Sequence, residues 1–220
     1  MNDILEVSYK STKVPYIAMQ WLEALPDTIA LDFEAALKFT PQELLAFQQE
    51  LDSISDDPSQ RNRQIELNAR LKASALSHPS YVLPTHLSIA WSETDAFVII
   101  LDTPKIRSLV MHWLTTTTRK QVWHNASYDF KLISYATNGK LPLDYDDTAL
   151  FTKCLLNHVE IQKAGVRLKD LAGHKYGAWA VSADNFDLSQ IYNEDLIKYA
   201  ATDACATFYL WQQLQSHRGA

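Results

Sequence analysis

Ile29-Ala30-Leu31-Asp32-Phe33-Glu34 is a short apolar run carrying two carboxylates two residues apart. Read as a strand, it has a side-chain period of 2, so Asp32 and Glu34 project from one face. Two acids side by side repel each other, and a divalent cation between them resolves the repulsion. Taken alone, an Asp-x-Glu pair reads more readily as a solvated strand face. Ile29, Leu31 and Phe33 point instead to a core strand, where unpaired charge is costly.

Outward from this run, Pro15 to Leu25 has the spacing of a short helix stopped by Pro26, and residues 1–13 leave room for an edge strand. Downstream, Thr40-Pro41-Gln42-Glu43 is a helix start, with a Thr cap, Pro at the first position and Glu at the third. Residues 52–59 carry loop chemistry, and Gln60 to Leu76 is helical again. Residues 35–78 therefore read as a helical hairpin inserted between two strands. Thr85–Trp91 and Ala96–Leu101 form a β-hairpin, Thr103-Pro104 opens a helix, and Gln121–His124 is a short strand. A helix follows Asn125 and ends at Asn138-Gly139; Leu143–Tyr145 reads as a further strand, and Asp147 caps the next helix. Leu168–Tyr176 and a last helix capped by Asn193 complete the chain. This order gives an α/β fold: a mixed sheet with an antiparallel hairpin on one side, parallel crossovers on the other, and flanking helices.

The chain has 220 residues, enough for one domain with an insertion and a sizeable core. Its net charge of −6 argues against broad nucleic-acid binding through a basic surface, although it leaves room for a nucleic-acid enzyme. Cys154 and Cys205 read as free thiols, which fits a reducing cytoplasm, and no Cys/His spacing suggests zinc. The N-terminus lacks a basic-then-apolar signal and no apolar run reaches spanning length, so a cytoplasmic protein with no membrane contact is expected.

Two further acids stand out. Asn125 and Asp129 lie four apart at a helix start that directly follows a strand end, where ligand sites of α/β sheets gather. Tyr199 and Asp203 are again four apart, within the small-residue surface Tyr199-Ala200-Ala201-Thr202-Asp203-Ala204-Cys205-Ala206. So many alanines imply close packing, which leaves Asp203 half-buried and in need of a partner. Read singly, Asp129 fits a surface charge, Asp203 a structural acceptor and Tyr199 a core-edge aromatic.

Together, Leu31-Asp32-Phe33-Glu34, His124-Asn125-x-x-x-Asp129 and Tyr199-x-x-x-Asp203 resemble the three exonuclease motifs of the DEDD superfamily in its tyrosine-containing branch. The 3′-5′ proofreading domains of family A DNA polymerases are the nearest in style. Asp147-Thr148-Ala149-Leu150, continuing to Leu155-Leu156-Asn157, and Val166-Arg167-Leu168-Lys169-Asp170-Leu171-Ala172 resemble two further segments of that family. The resemblance implies a ribonuclease H-like fold, a single 3′-5′ exonuclease domain over residues 1–220, and a two-metal site binding Mg²⁺ or Mn²⁺. By it, Asp32, Glu34 and Asp203 hold the cation that carries the nucleophile. Asp32 bridges to a second cation, which Asp129 reaches mostly through water. Tyr199 orients the attacking water, and a free Tyr pKa near 10 favours positioning over proton abstraction.

Asn125, His124, Phe33 and Ala35 are the implied substrate contacts; a structural role for His124 stands equally open. Ala35 departs from the hydroxyl residue relatives often carry. The insertion departs from their short turn, and three roles stay open for it: a cap guiding single-stranded 3′ ends, a polymerase dock, or a surface decoration. Trp91, Trp123, Trp179 and Phe186 are candidate base-stacking residues, with the 178–187 loop the favoured place. The expected substrate is the 3′ end of single-stranded or frayed DNA, cut to nucleoside monophosphates in proofreading, with a DNA polymerase or other replication protein as partner. The alternatives are a ribonuclease D-like RNA trimming enzyme and a non-catalytic binding module.

Overall fold

Strand β2 (Thr28–Leu37) carries the Asp32/Glu34 pair and lies inside a mixed six-stranded sheet. A computed structural model describes residues 4–72, 79–156, 165–180 and 187–216. The chain divides into two compact units, Met1–Glu34 with Pro84–Ala220, and Ala35–Leu83. The other strands are β1 (Ser8–Thr12), β3 (Val82–Ala90), β4 (Asp95–Ile100), β5 (Lys120–Trp123) and β6 (Tyr145–Asp147), and the spatial order is β1-β4-β3-β2-β5-β6. The β3–β4 hairpin is antiparallel, while β1 with β4, β2 with β5 and β5 with β6 are parallel. In the first unit the helices are α1 (Pro15–Glu23), α4 (Pro104–Thr116), α5 (Ser127–Ala136), α6 (Thr148–Leu155), α7 (Leu168–Tyr176) and α8 (Glu194–Ser216). In the second they are α2 (Pro41–Ile54) and α3 (Arg61–Lys72).

The caps act where the sequence places them. Thr103 Oγ1 accepts from the Ile106 N–H, and Asp147 from Ala149 and Leu150. Asn193 Oδ1 accepts from Asp195 and Leu196 at the start of α8. Helix α8 lays Ala201, Ala204, Cys205 and Ala206 against the sheet, all fully buried. These small side chains cluster with Ala30 of β2, Val122 of β5 and Val98 of β4, so the helix backbone comes close to the sheet. Ala30 has the same parity as Asp32 and Glu34. Packing α8 on Ala30 therefore places the helix over the acidic face of β2. Phe33, on the opposite face, stacks on the fully buried Trp123.

Two boundaries differ from the sequence reading. Strand β6 is Tyr145–Asp147 rather than 143–145, because Gln121 pairs with Tyr145 and Trp123 with Asp147; Leu143 is 66% exposed. Helix α2 continues to Ile54, past the expected loop start at Asp52. An i,i+4 side-chain bond from Gln48 to Asp52 supports the extra turn.

In the second unit, the Thr40–Glu43 capping box starts α2. Arg63 bridges Glu50 and Glu66, and Gln64 donates to the carbonyl of Ile54, tying α3 to the end of α2. Phe39 packs on Phe47 and Tyr81, while the Lys38 N–H donates to the Tyr81 carbonyl at 3.0 Å. The chain thus enters and leaves this unit side by side. Leu76 and Asn157 lie outside the described residues.

Candidate active site

The β2–β5 ladder runs from Thr28/Lys120 to Ala30/Val122, and β5 ends at Trp123. Strand β2 continues, so its edge beyond Ala30 needs other partners. Asp129, in the first turn of α5, supplies one: its Oδ1 accepts from the Phe33 N–H at 3.3 Å. A carboxylate there also meets the positive end of the helix dipole. On the other side of β2, hydroxyls of β3 hold the backbone of both acids. Ser88 donates to the Asp32 carbonyl at 3.2 Å and Thr85 to the Glu34 carbonyl at 3.1 Å.

Asp32, Glu34 and Asp203 converge, each offering a carboxylate oxygen within 4.8 Å of the others. Asp129 stands outside this trio, close enough for its charge to act on Asp32 and Glu34. Burial, then the neighbouring acids, raises Asp32 and Glu34 well above the usual carboxylate range. Burial also raises Asp129 to about 8 and Asp203 to about 6. The Lys169 ammonium works in the opposite direction on Asp32, Glu34 and Asp203. Such a set fits a hard divalent cation: all the donors are oxygens, they lie within one coordination sphere, and their mutual repulsion is only partly offset.

Tyr199 lies one turn before Asp203 on α8. Its hydroxyl is hydrogen-bonded to Asp203 and receives Lys169 Nζ at 2.5 Å. Burial first, then Asp203, Glu34 and Asp32, pushes the Tyr199 phenol far up, which favours its protonated form. Lys169 Nζ also lies 4.3 Å from the Tyr199 ring centroid and 5.7 Å from that of Trp179. Trp179 Nε1 donates to Asp203 Oδ1 at 2.7 Å. A cleft of about 700 Å³ adjoins this corner, lined by residues 4–7, Tyr176, Trp179, Asp195, Lys198, Tyr199 and Thr202.

The expected substrate contacts fare differently. His124 is turned inward: Nε2–H donates to the Val166 carbonyl at 3.0 Å, Nδ1 pairs with Thr148 Oγ1 at 2.8 Å, and burial lowers its pKa. Both ring nitrogens are used within the fold, so His124 ties the end of β5 to Thr148 and Val166. The Phe33 ring is in the core, and Ala35 is also buried, with Phe33's parity on β2. Asn125 is exposed and holds a positive φ of 60°, a turn that lets α5 start straight after β5. Asp147 fixes that turn, accepting from the N–H groups of Asn125 and Ala126 at 3.0 Å each.

Of the proposed stacking residues, Trp91 packs on Phe97 and Trp123 is fully buried. Phe186 and the rest of 181–186 lie outside the described residues. The sequence reading marks Trp179 as a candidate base-stacking residue, whereas its indole N–H is spent on Asp203, and it marks Lys169 only as part of a family-like segment. It saw Asp147 as a helix cap and not as the anchor of the Asn125 turn. Tyr128 was not singled out; it is half-buried beside Asp129, with its phenol pushed up by burial and by the acids.

No family model and no curated protein matches the chain. Solved structures do. Brucella melitensis NrnC with bound Mg²⁺ is similar at a TM-score of 0.55 and 14% identity, over 98% of this chain and 84% of that one. Escherichia coli RNase D, an exoribonuclease involved in structured RNA processing, is similar at 0.59 and 14%, over 97% of this chain and 46% of that one. The catalytic core of Trypanosoma brucei RRP6 is similar at 0.60 and 12%, over 97% and 48%. The chain shares the fold of these three structures. The chain thus spans less than half the length of the RNase D and RRP6 chains and most of NrnC. These structures support the ribonuclease H-like architecture that the three motifs imply; the likeness to polymerase proofreading domains is not among them.

Proposed function

We propose that the protein is a metal-dependent 3′-5′ exonuclease that removes nucleoside monophosphates from single-stranded or frayed 3′ ends. The observation that carries this reading is the convergence of Asp32, Glu34 and Asp203 within 4.8 Å, with Tyr199 hydrogen-bonded to one of them. Asp32, Glu34 and Asp203 would hold one divalent cation, and Asp32 with Asp129 a second. The chemistry that a pair of Mg²⁺ or Mn²⁺ ions supplies when bound is a water acidified toward neutral pH and stabilisation of charge on the leaving oxygen. The chain's own contribution is positional. Tyr199 presents a neutral hydroxyl to the attacking water, Lys169 fixes that hydroxyl, and the buried carboxylates keep their repulsion in reserve for a cation.

DNA ends processed in company with a polymerase are the substrate the sequence motifs favour. The likeness to RNase D favours RNA ends as the second reading. Incubating 5′-labelled DNA and RNA of one sequence with the protein and Mg²⁺ tests both. Stepwise shortening of at least one strand supports the proposal, and the faster strand identifies the sugar. Full-length strands in both lanes would refute it.

A further inference from the structure

The segment after α7 holds a side chain that the motifs do not include. Gly177, at φ +63°, turns the chain out of α7 into the short helical turn Gly177–Ala180. Tyr176 anchors the start of this turn: its one hydroxyl proton is shared between the Glu93 carbonyl at 2.9 Å and the Cys205 carbonyl at 3.1 Å. The Tyr176 ring meets Trp179 edge-on at 5.7 Å. Trp179 is therefore in contact with both the Tyr176 ring and the Lys169 ammonium above its ring. From that position its N–H reaches Asp203 Oδ1.

We propose that Trp179 is a positioning residue for the metal site. An indole N–H is a donor only, and it carries no charge that would compete with a cation. By donating to Oδ1 it restrains the Asp203 carboxylate, which the Tyr199 hydroxyl also holds, in a position from which it converges with Asp32 and Glu34. The bond is charge-assisted when Asp203 is ionised, and it exists in the protein without metal, so the ligand is set before the cation arrives. Its sequence position suits this role. Trp179 and Asp203 are 24 positions apart in sequence and lie on separate elements, so the contact reaches Asp203 from outside α8.

This inference rests on the metal-site reading above, and direct Mn²⁺ binding without substrate separates the two. Losing a partner that orients a metal ligand costs about 10–100-fold in affinity. Trp179→Phe keeps an aromatic ring and removes the donor. Its Mn²⁺ dissociation constant, from electron paramagnetic resonance of free Mn²⁺, should rise about tenfold or more. Asp203→Asn should lose that binding altogether. If Asp203→Asn binds Mn²⁺ as the wild type does, the metal-site reading fails. If Asp203→Asn loses Mn²⁺ and Trp179→Phe binds within twofold of wild type, the Trp179 inference fails. A measurement on the unaltered protein covers the case of a misfolded variant. The chain has six tryptophans, and with ¹⁵N-indole labelling one indole N–H signal should shift during Mg²⁺ titration and saturate with it. No indole signal responding to Mg²⁺ would overturn the proposal.

Discussion

Asp203 meets Asp32 and Glu34 inside the protein, and the repulsion among them is a cost that folding bears when no cation is present. Asp32→Asn or Asp203→Asn should therefore have opposite effects on activity and stability. Loss of a metal ligand removes several kcal/mol of transition-state stabilisation, so turnover should fall about a thousandfold or more. In EDTA at pH 8 the same variants should melt a few degrees higher than wild type, since one buried charge is gone. A lower melting temperature in both would contradict the electrostatic account. Tyr199→Phe should leave Mn²⁺ affinity within twofold of wild type and slow turnover about a hundredfold, the cost of a misplaced nucleophile. Kinetics at saturating metal would read the difference.

At the scale of elements, the site is a meeting of the middle of β2, the end of β5 and two helices, and Asp147 locks one corner of it. Its carboxylate takes the N–H groups of Asn125 and Ala126 and caps α6 through Ala149 and Leu150. Asp147→Ala should cost about 2–3 kcal/mol in urea unfolding, more than a single helix cap. A loss below 1 kcal/mol would mean that the Asn125 turn holds without it. The elements themselves were legible because their signals are local. Period 2 put Asp32 and Glu34 on one face, a four-residue spacing joined Tyr199 to Asp203, and Thr40, Thr103, Asp147 and Asn193 announced helix starts. Lys169 on Tyr199, Trp179 on Asp203 and His124 on Val166 are contacts between separate elements, over 24 to 42 residues, with no periodic trace. Strand β6 was misplaced for a related reason. The Leu143–Tyr145 spacing reads as a strand, but the register with β5 is set by backbone pairing from Tyr145 onward.

For the whole molecule, the raised carboxylates tie stability to pH. A carboxyl whose folded pKa lies above its unfolded value adds stability at low pH and loses it as pH rises through the folded value. With Asp203 at about 6 and Asp129 at about 8, the metal-free protein should lose melting temperature steadily from about pH 4 to 8. Mg²⁺ should restore the loss and stabilise far more at pH 8 than at pH 5. Equal stabilisation at both would contradict the linkage. The Ala35–Leu83 unit poses a separate question. Because Lys38 and Tyr81 are paired backbone to backbone, a short turn replacing residues 40–79 should leave the remaining fold intact. If the hairpin guides strands, that deletion should raise KM for long single strands severalfold and leave dinucleotide turnover unchanged. Unchanged KM would leave it a dock for a partner or a surface decoration.

Release of the labelled 3′-terminal nucleotide from a single strand, in one turnover, tests the central claim most directly. The account predicts monophosphate release by the wild-type protein in Mg²⁺, none in EDTA, and none by Asp203→Asn in either. Release that persists in EDTA or in Asp203→Asn would contradict a metal site built on Asp32, Glu34 and Asp203.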